Sequence, residues 1–136
     1  MLIPKRVKFR KSQRGKNRGI ATRGMALHFG EYGLKALSNG YVGAKHIEAA
    51  RVVVARKLAG AGRFYINIFP SKPVTKKPAE TRMGKGKGDL DHWVAPVRRG
   101  RVMFELSGIP EDFAKRILRL VAFKLPVHSK FITRAH

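Results

Sequence analysis

The chain has no cysteine among its 136 residues. Disulfides, thiolate metal sites and cysteine nucleophiles are therefore excluded, and a reducing cytosol suits the composition. Acids are scarce as well: eight Asp+Glu stand against thirty Lys+Arg. No pair of carboxylates is recognisable as a general acid and base. The five histidines form no HExxH or other short ligand motif, so no metal and no cofactor is expected. No apolar run approaches the ~18 residues that span a bilayer. The N-terminus is basic but lacks the apolar stretch and small-residue cleavage site of a secretory signal, and it reads as part of the mature protein.

What is present is positive charge, +22 formally at neutral pH. Charge of that size repels itself in the free protein and becomes favourable beside a polyanion, where each phosphate contact releases condensed counterions. Nucleic acid is the first-choice partner and an anionic membrane surface the second. The length fits one domain, residues 1–136, and a hydrophobic content of 43% supports a single core. Within it the charge is uneven. Residues 1–23 hold nine Lys+Arg and no acid. This arm includes Lys5, Arg6, Lys8, Arg10, Lys11, Arg14, Lys16 and Arg18. A solvated tail is the plain alternative, but the density of arginine, with its planar fork for phosphate oxygens, favours RNA.

Periodicity places the elements. "GMALHFGEYGLKAL" (24–37) predicts short strands with a turn around Gly30. "GAKHIEAARVVVARKLAGAG" predicts a helix with Ile47, Ala50, Val54 and Leu58 on its buried stripe, ended by Gly60 and Gly62. "RFYINIF" predicts a strand with Phe64, Ile66 and Ile68 on one face and Tyr65, Asn67 and Phe69 on the other. Three prolines, at 70, 73 and 78, predict a long irregular segment, residues 70–91 with their flanks. "HWVAPV" and "RVMFELS" predict a hairpin turning at "RRG". "GIPEDFAKRILRLVAFKL" predicts a second helix, with Glu111 and Asp112 suited to its dipole and Phe113, Ile117, Leu120 and Val121 on its apolar line. "KFIT" predicts a last strand. The fold class is α+β, a mixed or antiparallel sheet with two helices packed on it.

The segment "TRMGKGKGDL" (81–90) carries the most pointed signal. A nucleotide-hydrolysis loop needs G-x-x-x-x-G-K-[ST], and here Gly88 is followed by Asp89 with no hydroxyl. A dinucleotide fingerprint needs a preceding strand and a following helix, and neither is expected. What fits is phosphate recognition. Glycines let the backbone approach a polyanion and expose consecutive N–H donors, Lys85 and Lys87 supply point charges, and Arg82 a bidentate fork. Two rival readings use other residues: a small RNA-processing enzyme built on Asp89, Asp91 and His92, and a nonspecific cationic binder of DNA or membrane. Trp93 and Tyr65 could stack on bases, although their strand positions favour packing or partial exposure.

Five blocks resemble the family of bacterial large-subunit ribosomal protein sixteen: "PKRVKFRK" (4–11), "FGEYGLKAL" (29–37), "HIEAARVVVAR" (46–56), "IFPSKPVTKKPAETRMGKGKG" (68–88) and "KLPVHSKFIT" (124–133). The match is looser at His46, "RFYINIF" and "RRGRVMFELS". The resemblance implies a hammerhead-like α/β body with an extended glycine-rich loop. It implies a cytoplasmic, non-enzymatic constituent of the large ribosomal subunit, with no cofactor and no small-molecule substrate. Its partners would be 23S ribosomal RNA, A-site tRNA with P-site tRNA as a second candidate, and neighbouring subunit proteins. Carried over, the arm cations named above and Arg51 would hold ribosomal RNA. Lys76, Lys77, Arg82, Met83, Gly84, Lys85, Gly86, Lys87 and Gly88 form the loop near tRNA.

Overall fold

The apolar spacing at 47, 50, 54 and 58 and the alternation at 63–66 take shape in the computed structural model, whereas the strand expected through Phe69 stops at Ile66. The structure describes residue 3, residue 17, residues 19–76 and residues 89–134. In chain order the elements are β1 (Tyr32–Ala36), β2 (Gly40–Gly43), α1 (Ala44–Leu58), β3 (Arg63–Ile66), β4 (Lys72–Lys76), β5 (Asp89–Val97), β6 (Val102–Ser107), α2 (Glu111–Phe123) and β7 (Ser129–Thr133). The class is α+β, with two antiparallel sheets, a four-stranded one ordered β3-β6-β1-β7 and a three-stranded one ordered β2-β5-β4.

α1 buries the stripe its sequence predicts, and α2 buries Ile117 and Val121 of its predicted line with Phe113 half-buried. In α1, Ile47, Ala50, Val54 and Leu58 are buried together with Ala44. His46 closes its start, since the Gly43 backbone N–H donates to His46 Nδ1 at 3.1 Å. The helix ends on Ala59 in a left-handed conformation, one residue ahead of the glycine expected to stop it. In α2, Ala114, Ile117, Leu118 and Val121 are buried, with Glu111 and Asp112 in the first turn. Leu120 falls on the exposed side. The helices pack on each other, α1 also on β2 and β5, and α2 on β1 and β7. The core between them takes Leu34 and Ala36 from β1, Phe104 and Leu106 from β6, and Val42, Ala95 and Val97 from the smaller sheet. Phe64 stacks on Phe104, with centroids 5.5 Å apart. Among the described residues no helix is long and apolar enough to cross a membrane.

Three expectations are corrected. First, β5 and β6 are not a hairpin. β5 already has β2 on one side and β4 on the other, so the chain crosses at Arg98–Arg101 to the other sheet. The turn instead bonds to the end of β1, with Gly100 N donating to Ala36 O at 2.8 Å and Ala36 N to Arg101 O at 2.8 Å. Second, residues 72–76 are a strand despite Pro73. β4 is an edge strand, where a missing N–H need not break a ladder. β5 likewise begins at Asp89, so the irregular segment is shorter than residues 70–91. Third, only β1 forms within 24–37. Residues 24–30 lie across the outer face of the four-stranded sheet, the side turned away from the helices. Their path is set by Glu105, described below, and by Gly33, where any Cβ would meet the Leu27 side chain at 2.4 Å. The single irregular chain there takes the place of a second strand because its N–H groups at 28–30 bond to a side chain rather than to a ladder.

Candidate nucleic-acid interface

The three-stranded sheet turns Val42, Ala95 and Val97 into the core and leaves Tyr41 and Pro96 on its outer face. Cross-strand partners share a face, so Lys72 of β4, opposite Val94, lies on that outer face too. A groove of about 360 Å³ opens beside these residues, and Arg23, Lys72, Arg98 and Arg101 line it together with Asn17 and Tyr41. Its lining contains four cations and no acid. Lys72 Nζ sits 4.8 Å from the Tyr41 ring centroid and 3.4 Å from its hydroxyl, so the ring and the oxygen both steady the ammonium. Arg101 is braced from below, its Nη2 donating to Asn67 O at 2.7 Å, while its buried Nε has no partner.

Asn17 fixes one end of the arm to this sheet. Its side-chain amide donates to Gly40 O at 2.8 Å and Val97 O at 3.0 Å, bridging β2 and β5, and its own carbonyl accepts from Asn39 Nδ2 at 3.2 Å. Residue 20 adds a parallel bridge to Arg99, and Ala21 N donates to Arg99 O at 2.8 Å. Near the other end of the arm, Ile3 lines a second hollow of about 700 Å³, with Tyr41, His46, Val74 and Trp93 around it. Trp93 is buried there, as packing predicts for a strand tryptophan, and Tyr65 is half-buried. The strands β4 and β5 are the two that residues 77–88 join. Both basic segments of the sequence therefore attach to one sheet.

Most residues expected to bind RNA fall outside the described residues: Lys5, Arg6, Lys8, Arg10, Lys11, Arg14, Lys16 and Arg18 of the arm, and Lys77, Arg82, Met83, Gly84, Lys85, Gly86, Lys87 and Gly88 of the central segment. The backbone of Lys76 closes β4. Arg51 is exposed on α1 and engaged, donating from Nε and Nη2 to the Glu48 carboxylate one turn away. That bonding holds the Glu48 carboxyl below its ordinary value and lifts the guanidinium's. α2 presents a further basic face of Lys115, Arg116 and Arg119, with Asp112 among them.

The sequence reading passed over Arg23, Lys72, Arg98 and Arg101, which come from three separated stretches and meet only when the two sheets form. It also passed over Glu105. This side chain is fully buried. One of its oxygens accepts the backbone N–H groups of His28 at 2.9 Å, Phe29 at 3.0 Å and Gly30 at 3.0 Å, and the other accepts the Asn67 amide. Burial pushes the carboxyl up, and the bonds from Gly30, Asn67, Phe29 and His28 more than reverse it, leaving the group below its ordinary value. The available signal was a lone acid inside the apolar run "VMFELS".

Comparison with known proteins identifies the family of the whole chain. The family model for ribosomal protein L16p/L10e matches residues 4–132. Two curated relatives, each named large ribosomal subunit protein uL16, come from two strains of Leptospira biflexa serovar Patoc. Each is 54% identical over 134 residues, covering 98% of this chain and 98% of its own length.

Proposed function

The chain belongs to the ribosomal protein L16p/L10e family, and from that membership we propose that its arm holds 23S-type ribosomal RNA while residues 76–88 reach toward tRNA. It is a structural constituent of the bacterial large ribosomal subunit in the cytoplasm, not an enzyme. In this reading Lys5, Arg6, Lys8, Arg10, Lys11, Arg14, Lys16 and Arg18 neutralise RNA phosphates. Arg51 adds a contact from α1 when it exchanges Glu48 for a phosphate. Arg82, Lys85 and Lys87 meet tRNA in the A site, with the P site as a second position, and glycines 84, 86 and 88 let the backbone come close.

The observation that carries the reading is the shared root of the two basic segments. Asn17 bonds to β2 and β5, and residues 77–88 connect β4 to β5, so both basic segments leave from one small sheet. The cationic groove beside Asn17 adds four basic residues to that sheet. Phosphate contacts of this kind fix register and orientation without reading sequence, which is what a scaffold protein needs.

The test separates the two segments. Large subunits carrying Arg82→Ala, Lys85→Ala and Lys87→Ala together should assemble normally and accommodate A-site tRNA more slowly. Unchanged accommodation in a single-turnover assay would remove the tRNA role. Deleting residues 1–16, which leaves Asn17 in place, should instead lower occupancy in subunits recovered from a moderate salt wash; full occupancy would remove the RNA role of the arm.

A further inference from the structure

The outer face of the four-stranded sheet carries an aromatic pair that neither the core nor the groove uses. Phe29 is 63% exposed, and its ring stacks on Tyr65 with centroids 5.5 Å apart and planes 25° apart. The His28 ring meets Phe29 edge-on at 6.4 Å. The pair is held from beneath, because Glu105 takes the N–H groups of three successive residues, 28 to 30, and so fixes the backbone that presents Phe29. Gly30 is pressed against β6, where any Cβ would meet Leu106 O at 2.5 Å. Arginines rim the pair. Arg134 Nη2 donates to Gly30 O at 2.9 Å, and Arg63 stands two residues before Tyr65 on the same face of β3. The acids nearby are exposed Glu31, whose carbonyl accepts the Arg134 N–H, and Glu105, whose charge is shared among four donors.

We propose that Phe29 and Tyr65 form a stacking shelf for an unpaired base of RNA. The exposed face of the Phe29 ring offers a plane that any base can cover, and stacking of this kind tolerates every sequence because every base has a π-face. Arg63 and Arg134 supply charge for the phosphates on either side of that base. A continuous duplex cannot use such a shelf, since its base faces are already stacked. A protein partner would cover Phe29 with no preference for unpaired nucleotides. The inference depends on the ribosomal-RNA reading only for the class of its partner, and it concerns residues outside the arm and loop sequences.

The full-length chain carrying Phe29→Trp keeps an aromatic shelf and makes it fluorescent, the native Trp93 being buried. It is titrated with an unpaired oligoadenylate and with an RNA duplex of equal phosphate count. The oligoadenylate should quench F29W emission several-fold more than the duplex does. F123W, a reporter at the 77% exposed Phe123 on the last turn of α2, should respond alike to both. A second variant, Phe29→Leu, should lose about tenfold in affinity for the unpaired strand, with an unchanged thermal midpoint and an unchanged salt slope, because no phosphate contact is removed. Equal quenching of F29W by both RNAs, or full affinity of F29L, overturns the shelf. Neither result touches the arm-deletion outcome that decides the broader reading.

Discussion

Glu105 has no contact with solvent, yet its bonding partners among the described residues are dipoles rather than cations. In a chain with thirty Lys+Arg, that choice has a physical reason. A buried cation would have to be desolvated along with the carboxylate, whereas backbone N–H groups are already in place and need partners of their own. Replacing Glu105 with Gln removes the charge and sets an NH2 group against donors. It should destabilise the fold by about 2–3 kcal/mol at neutral pH, the scale of losing charge-assisted bonds and orphaning a buried donor. The pH dependence has a definite sign. The folded carboxyl titrates below its ordinary value, which is about 4.3 for an unfolded glutamate. Its stabilisation is therefore complete above that value and lost as pH falls through the lower folded one. Urea denaturation of wild type and E105Q should show a constant gap at neutral pH that closes in acid. A gap that widens in acid would contradict the assignment.

Among the elements, the helices were legible and the sheets only half so. A 3.6-residue stripe is a property of neighbouring residues, and Ile47, Ala50, Val54 and Leu58 declare it without reference to the rest of the chain. Strand pairing is a property of distant residues. "HWVAPV" and "RVMFELS" look like a hairpin locally, and only the partners β2 and β4 on both sides of β5 forbid it. The groove was illegible for the same reason, since Arg23, Lys72, Arg98 and Arg101 share no sequence pattern. The arm and the glycine–lysine segment stood out because their composition alone departs from that of a core. At this scale α2 offers a clean check. Leu118 is fully buried against the core and Leu120 faces out. Leu118→Ala should cost about 2–5 kcal/mol through lost burial and a residual cavity. Leu120→Ala, two positions on, should stay within about 0.5–1 kcal/mol, as a surface change does. Matched losses in denaturant midpoints would mean that the helix is rotated relative to the described packing.

The whole molecule must reconcile +22 with a single modest core. One described ion pair, Glu48–Arg51, offsets little of that charge at an exposed site. The rest has to be balanced by a partner, and the described cations suggest a surface to test. Asn17 holds the end of the arm at β2 and β5, β4 and β5 lead into residues 77–88, and the groove lined by Arg23, Lys72, Arg98 and Arg101 lies beside Asn17. The basic face of α2 belongs to a different element with an acid among its cations. If RNA lies along the sheet, the two surfaces must differ in how many counterions they release. Each phosphate contact contributes about 0.7 to 0.9 to the slope of log K against log salt. The double variant Arg23→Ala, Arg98→Ala should flatten that slope for a 23S-type ribosomal RNA fragment by between about one and two units. The double variant Lys115→Ala, Arg116→Ala removes the same formal charge and should leave the slope nearly unchanged. Net charge acting only as a diffuse field would make the two variants indistinguishable. Equal slopes would therefore move the interface off this sheet, whereas a difference confined to the groove variant would place RNA phosphates along the groove.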